Sequence, residues 1–181
     1  LSGSGKTTLA HGLERVLVER GCATYVLDGD NVRHGLSSDL GFSPDERREN
    51  IRRIGEVAKL FVDAGMIVLC CFVSPYRSDR DRLRGALAQG DFVEIHVKAS
   101  LAICQARDPK GLYEKAASGE IGDMTGVGAP YEPPDQPELV LDTEQDAPPA
   151  SISQVLGFLE QRGYIDTSAV DGPRSDDRRR G

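Results

Sequence analysis

Gly3-Ser4-Gly5-Lys6-Thr7-Thr8 runs straight into a stretch in which Leu9, Leu13, Val16 and Leu17 recur at helical spacing. Every position of the phosphate-loop pattern G-x-x-x-x-G-K-[ST] is present except the first glycine, which would precede Leu1. The residue types suit a triphosphate. Glycines let successive backbone N–H groups turn inward around phosphate oxygens. The helix that starts near Lys6 aims its N-terminal dipole at the same anion. A lysine neutralises charge on the β- and γ-phosphates, and the Thr7 hydroxyl can ligate Mg²⁺. The alternative is a Gly/Ser linker with a chance Lys-Thr, but linkers do not usually run into an amphipathic helix. The motif implies a nucleoside triphosphate and leaves its use open.

A second group follows a short apolar stretch: Leu27-Asp28-Gly29-Asp30-Asn31-Val32-Arg33. In an open parallel sheet, ligands sit beyond the carboxyl ends of the strands, so this acidic turn should lie near the phosphate loop. Two carboxylates there can hold Mg²⁺, directly or through water, and can accept a proton from a hydroxyl under attack. Asp28 suits the metal-linked role and Asp30 the base. A turn built from Asp, Gly and Asn for backbone reasons is the plainer alternative. The lack of an N-K-x-D or T-K-x-D guanine reader argues against a switch GTPase.

Cations and a serine complete the chemistry-bearing set. Arg47 and Asn50 are three residues apart and share a helix face. Arginine suits bidentate recognition of phosphate or sulfate. Arg48, Arg52 and Arg53 face elsewhere and can pair with Glu49 and Glu56 on the surface. Phe42, just before this helix, could stack on a base or serve as a hydrophobic staple. Ser74, in Phe72-Val73-Ser74-Pro75-Tyr76-Arg77, closes an apolar strand on the ligand-facing edge and is either a substrate contact or a turn serine.

The elements that must position these groups alternate. Helices are expected over 6–20, 45–64, 78–89 and 151–162, with a short one after Ser100, which can cap it. Pro44 suits the start of the second. Strands are expected at Thr24–Leu27, Ile67–Val73, Phe92–Val97 and Leu139–Leu141, the second apolar throughout as a buried parallel strand should be. Residues 110–135, rich in Gly, Pro and charge, read as a mobile segment with one short helix. The alternation predicts an α/β fold: a P-loop NTPase-like parallel sheet with helices on both faces. That sheet should want a strand immediately before Leu1, central and buried. One domain is expected over 1–165, and a disordered tail or a linker over 166–181.

Composition narrows the class. The chain has 181 residues, 39% hydrophobic and 28% charged, with a formal net charge of −7. That size allows one sizeable core. The acidic balance argues against a general nucleic-acid binder. No apolar run approaches the roughly 20 residues that span a bilayer. Cys22, Cys70, Cys71 and Cys104 match no zinc spacing and read as buried free thiols of a cytoplasmic protein.

The motifs together resemble a family. G-S-G-K-T-T, L-D-G-D-N-V-R, R-R-E-N-I-R-R-I-G-E-V-A-K-L, F-V-S-P-Y-R, A-R-D-P-K-G-L-Y and P-Y-E-P-P-D-Q-P-E-L-V-L-D-T stand in the order seen in adenylylsulfate kinases, over roughly residues 1–165. The resemblance implies transfer of the ATP γ-phosphate to the 3′-hydroxyl of adenosine 5′-phosphosulfate, with Mg²⁺. It places Gly3 to Thr8 on the ATP phosphates, with Lys6 and Asp30 in catalytic roles. It places Asp28, Asp30, Asn31, Arg33, Phe42, Arg47, Asn50, Val73, Ser74, Lys110 and Thr125 about the sulfonucleotide. Ser74 falls where the family is often assigned a phosphoserine intermediate, although direct in-line transfer needs only positioning, Mg²⁺ and charge neutralisation. Arg107 and Lys110 would belong to a lid over both nucleotides.

The chain departs from the family where F-T-G-I-D-D is common and Met124-Thr125-Gly126-Val127-Gly128-Ala129 stands instead. Met124 can cover a base face in place of an aromatic ring, more loosely. Other readings are another small-metabolite P-loop kinase and a degenerate or regulatory ATP-binding domain, against which the intact Lys6, Asp30 and Arg33 argue. A homodimer, and a sulfurylase as fusion or partner, are compatible with the resemblance.

Overall fold

The structure, a computed structural model, describes residues 1–166; the expected tail falls outside the described residues from 167 onward. Helices and strands alternate in the order α1 (Lys6–Glu19), β1 (Thr24–Asp28), α2 (Gly29–Arg33), α3 (Pro44–Asp63), β2 (Ile67–Cys71), α4 (Arg77–Ala86), β3 (Ile95–Lys98), α5 (Leu101–Arg107), α6 (Leu112–Ala117), β4 (Leu139–Asp142) and α7 (Pro148–Gln161). All strand pairs are parallel. β1 pairs with β2, Thr24 opposite Ile67 through Asp28 opposite Cys71. β3 pairs with β4, Ile95 opposite Leu139 through Lys98 opposite Asp142.

The described strands thus form two two-stranded sheets rather than one continuous sheet. β2 has no second strand partner among the described residues, and its exposure reflects that. None of its residues is fully buried, and Cys70 is exposed. The expectation of a buried strand carrying buried thiols is corrected accordingly: only Cys104 is fully buried, while Cys22 and Cys71 are partly so.

Two cores pack on opposite sides of the strands. Leu9, Leu13 and Leu17 of α1 meet Leu141 of β4 and Val155, Leu156 and Leu159 of α7. Ile51, Ile54 and Ala58 of α3 meet Leu27 and Val32. The spacing of these residues along α1 and α3 is what gives each helix a buried stripe. A third cluster, Cys104, Tyr113 and Met124, lies where α5 and α6 meet the 121–126 segment.

Local signals set the helix ends. α3 opens with a capping box: the Ser43 hydroxyl accepts from the Glu46 backbone N–H, while the Glu46 carboxylate accepts from the Ser43 N–H. The pattern Ser43-Pro44-Asp45-Glu46 carries this signal openly. Ser100 caps α5 through the Ile103 N–H, as expected. Less expected, the Asp108 carboxylate accepts from the N–H groups of Tyr113 and Glu114, closing the first turn of α6. The stretch read as an acidic turn is a one-turn helix, α2; the strand expected at 92–97 is β3, Ile95–Lys98, and the helix expected at 78–89 is α4, Arg77–Ala86.

Candidate active site

An open cleft of about 1310 Å³ runs along the carboxyl ends of the strands, with the phosphate loop at one end and Arg33 and Arg47 at the other. The loop geometry follows from its glycines. Gly3 has φ 75° and Gly5 φ 96°, conformations that L side chains rarely adopt. A Cβ on Gly3 would also sit 2.8 Å from the Cys104 carbonyl oxygen, so side-chain bulk is excluded twice over. Gly5 is the N-cap of α1 and makes no side-chain cap, which leaves the first-turn N–H groups facing the loop. Ser4 is fully buried, and its carbonyl accepts from the Thr143 hydroxyl at 2.9 Å. The Tyr113 hydroxyl donates to the Ser2 carbonyl at 3.0 Å.

Lys6 opens α1 and borders the cleft, where its ammonium donates to the Leu1 carbonyl and lies 3.4 Å from the Ser4 hydroxyl. Protein atoms crowd this cation. The lost hydration pushes its pKa below the ordinary lysine value, and Asp28 is among the groups that oppose the shift. A desolvated ammonium at the mouth of a glycine loop favours a bound anion. The Thr7 hydroxyl donates to the Asp28 carboxylate at 2.7 Å, so the two expected metal-linked groups are brought together from α1 and β1. Among the described residues, no cluster of three His, Cys, Asp or Glu side chains could hold a metal by itself. Two oxygens fit Mg²⁺, which keeps several waters and takes further ligands from substrate phosphates.

At the other end, Arg33 and Arg47 flank one aromatic ring. The guanidinium carbons lie 4.2 Å and 5.9 Å from the Phe42 ring centroid. Burial, and then the neighbouring Arg47, lower the Arg33 pKa. Arg33 donates to the Leu40 and Gly41 carbonyls, both at 3.1 Å. Arg47 donates to the Phe42 carbonyl at 2.7 Å, to the Thr125 hydroxyl at 2.6 Å and to the Asp123 carbonyl. It thereby ties α3 to the 123–125 segment. These bonds use only part of a guanidinium's five N–H donors. Asn50 is 6% exposed and borders the cleft, and its Oδ1 has no hydrogen-bond partner among the described residues. An unpartnered buried amide oxygen beside a cleft is a group poised for a ligand.

Val73, Ser74, Lys110 and Thr125 also border the cleft. Met124 borders it too, but is 7% exposed and packs with Cys104 and Tyr113, so it is first a core residue. Asn31 is not brought to the cleft wall. Its side chain turns back on β1, accepting from the Asp28 N–H at 3.1 Å and donating to the Val26 carbonyl. Asp30 lies within α2, between Asp28 and Arg33. Thr8 and Arg107 line the loop end. Arg107 is anchored on Thr143, donating to its carbonyl at 2.6 Å and to its hydroxyl at 3.2 Å. Thr143, which holds both Ser4 and Arg107, was not foreseen. The surface arginines pair as expected of a solvated face: Arg52 and Arg53 take Glu49, while Arg48 takes Asp45 and Arg53 also takes Asp39.

Comparison with known proteins places this geometry. Residues 1–142 match the model of the family described as adenylylsulphate kinase. The adenylyl-sulfate kinase of Geotalea daltonii is 59% identical over 165 residues, covering 91% of this chain and 81% of the relative. That of Acaryochloris marina is 55% identical over 170 residues, covering 94% and 83%. Among solved structures, the Mycobacterium tuberculosis APS kinase CysC in complex with AMPPNP and APS superposes with a TM-score of 0.84 at 44% identity, covering 88% of this chain and 93% of that one. A hexameric APS kinase from Thiobacillus denitrificans aligns with 91% of this chain and 28% of its own, at a TM-score of 0.70 and 38% identity. With its phosphate loop, its Thr7–Asp28 pair and its arginine-lined cleft in this arrangement, the chain belongs to the adenylylsulphate kinase family.

Proposed function

We propose that the protein transfers the γ-phosphoryl group of ATP to the 3′-hydroxyl of adenosine 5′-phosphosulfate, giving 3′-phosphoadenosine 5′-phosphosulfate and ADP. One observation carries the reading: a single cleft joins a phosphate loop to a separate pair of arginines in a chain 59% identical to an adenylyl-sulfate kinase. The relative solved with AMPPNP and APS holds a triphosphate analogue and the sulfonucleotide together. Two anionic ligands need two cationic sites, and Lys6 cannot serve both.

In this reading the N–H groups of the phosphate loop and Lys6 hold the β- and γ-phosphates. Thr7 and Asp28 are the groups that would hold Mg²⁺, which supplies charge neutralisation on the bridging oxygens when bound. Arg107 lies on the donor side, braced by Thr143. Arg33, Arg47, Asn50, Phe42, Val73, Lys110, Met124 and Thr125 form the acceptor side. Asp30 takes the proton of the 3′-hydroxyl as its oxygen bonds to the γ-phosphorus and the bond to the ADP oxygen breaks. Ser74 sits beside the acceptor and positions it; in-line transfer does not require it to carry the phosphoryl group. Asn31 acts indirectly, by fixing the backbone of the acidic turn.

To this reading we add that the protein acts in the cytoplasm as a homodimer, with a sulfurylase, which makes the acceptor, as fusion or partner. The described residues contain no helix long and apolar enough to cross a membrane. The deciding experiment is an ADP-release assay with and without adenosine 5′-phosphosulfate. Release that depends on the sulfonucleotide is expected. Equal rates with plain AMP, or none above background, would replace this reading with another acceptor or with a binding role.

A further inference from the structure

Arg80 lies in α4 among Arg77, Asp79, Asp81, Arg82 and Arg84, yet it is 8% exposed and does not border the cleft. Its guanidinium forks onto three acceptors. Nε donates to the Glu94 carboxylate at 2.6 Å, Nη1 to the Ser74 carbonyl at 2.7 Å and Nη2 to the Glu132 carbonyl at 2.9 Å. Ser74 is the non-glycine residue with a left-handed backbone among the described residues, at φ 41°. Such a conformation persists only where the surroundings over-determine it. The surroundings here do so from both sides. The Glu132 N–H donates to the Pro75 carbonyl at 2.9 Å, and the Glu132 carboxylate accepts from the Arg77 N–H at 2.7 Å.

We infer that Arg80 is a positioning residue for the acceptor: by holding the Ser74 and Glu132 carbonyls on one buried guanidinium, it locks the strained Ser74 backbone that presents Val73 and Ser74 to the cleft. A planar fork is needed, because the two carbonyls belong to segments 58 residues apart in sequence (132 minus 74) that the guanidinium bridges. A lysine could keep the charge beside Glu94 but could not reach both carbonyls in fixed geometry. Glu94 serves the fork in turn, neutralising the buried charge, and is itself backed by Arg84 at 3.5 Å. The phosphate loop touches none of these groups, so the effect should fall on one substrate only. The inference rests on the proposed acceptor reading, in which Ser74 borders the sulfonucleotide.

The test is steady-state kinetics of three proteins, varying ATP and adenosine 5′-phosphosulfate in turn, together with thermal melting. The unsubstituted protein comes first: if it shows no sulfonucleotide-dependent turnover, the functional reading fails before Arg80 is at issue. With turnover established, Arg80→Lys should raise KM for the acceptor about ten-fold, as for loss of a charge-assisted bond, with KM for ATP within about two-fold. Glu94→Gln keeps the fork on both carbonyls and should lower the melting temperature with little change in acceptor KM. Should Arg80→Lys prove too unstable to assay, the double substitution Arg80→Lys with Ser74→Gly, which relieves the left-handed strain, should restore a folded protein. An unchanged acceptor KM in Arg80→Lys, an equal rise in both KM values, an equal rise in acceptor KM in Glu94→Gln, or no recovery in the double variant would each overturn the proposal.

Discussion

The phosphate-loop side of the cleft and its arginine side are built in different ways. Gly3 to Thr8 is one contiguous stretch, and its shape comes from two left-handed glycines and the start of α1. Distant contacts brace it, such as Thr143 on Ser4, but do not create it. The arginine side has no such local plan. Arg33 comes from α2, Arg47 and Asn50 from α3, Ser74 from the end of the β2 segment and Thr125 from the loop after α6. Arg47 and Thr125, hydrogen-bonded at 2.6 Å, are 78 residues apart. Phosphate is bound largely by backbone, which a short motif can encode. A sulfonucleotide must be recognised by side chains converging from many directions. A P-loop fold can therefore keep its donor side while its acceptor side is remodelled.

That contrast can be broken in order of expected effect. Lys6→Ala removes the partly buried cation of the loop and should cut kcat/KM for ATP by roughly 10²–10³-fold, the scale for loss of a preorganised charge-stabilising donor. Isothermal titration with an ATP analogue should show the binding loss directly; unchanged binding and turnover would show that the backbone alone suffices. Asp30→Asn should lower kcat by about 10²-fold, within the range of general base catalysis, with ATP binding intact by the same titration. Near-normal kcat would remove Asp30 from the chemistry.

Arg47→Lys acts on the other side. It keeps a charge but loses the fork that spans Phe42, Asp123 and Thr125, and should raise KM for the sulfonucleotide by about ten- to a hundred-fold. KM for ATP should stay nearly constant. A selective rise in KM for ATP instead would show that the two sides are not separable.

The smallest effect concerns the scaffold of α3. Arg52 and Arg53 hold the Glu49 carboxyl at about 2, below its usual 4.5, and Arg53 also grips Asp39 in the loop that carries Arg33 toward α3. A carboxylate with a depressed native pKa contributes stability above its unfolded value, and that contribution is lost as pH falls through the native value. Melting temperature should therefore decline between pH 4.5 and about 2, and Glu49→Gln should flatten that part of the profile. Glu49 is a surface group in water, so a shift of a few degrees is the most to expect. An identical slope in the variant would assign the decline to other carboxylates.

Much of this was open to a reader of the sequence. The loop motif, the stripes of α1 and α3, the Ser100 cap and the approximate strand positions follow from residue type and spacing, because each depends on neighbours within a turn or two. The α3 capping box was equally readable in Ser43-Pro44-Asp45-Glu46. Other features were not. Arg80 stands among Arg77, Arg82 and Arg84 in a stretch that reads as a solvated face, and nothing local marks it as the buried one. Asn31 looks like a ligand group beside two aspartates, yet its amide is used by the backbone of β1. Met124 reads as a stand-in for a stacking ring and packs in a core cluster.

By itself, the sequence determined that a triphosphate loop exists, where it starts, and that strands and helices alternate behind it. These are consequences of short-range sterics and of hydrophobic period, and they need no knowledge of what lies across the fold. Tertiary structure alone decided that Thr7 and Asp28 meet at 2.7 Å, that Arg47 reaches Thr125, and that the buried guanidinium of Arg80 donates to the Ser74 carbonyl. Charged side chains are long and their partners lie in other elements. Whether one is a surface group, a ligand or a buried brace depends on which carbonyls and carboxylates packing brings within reach.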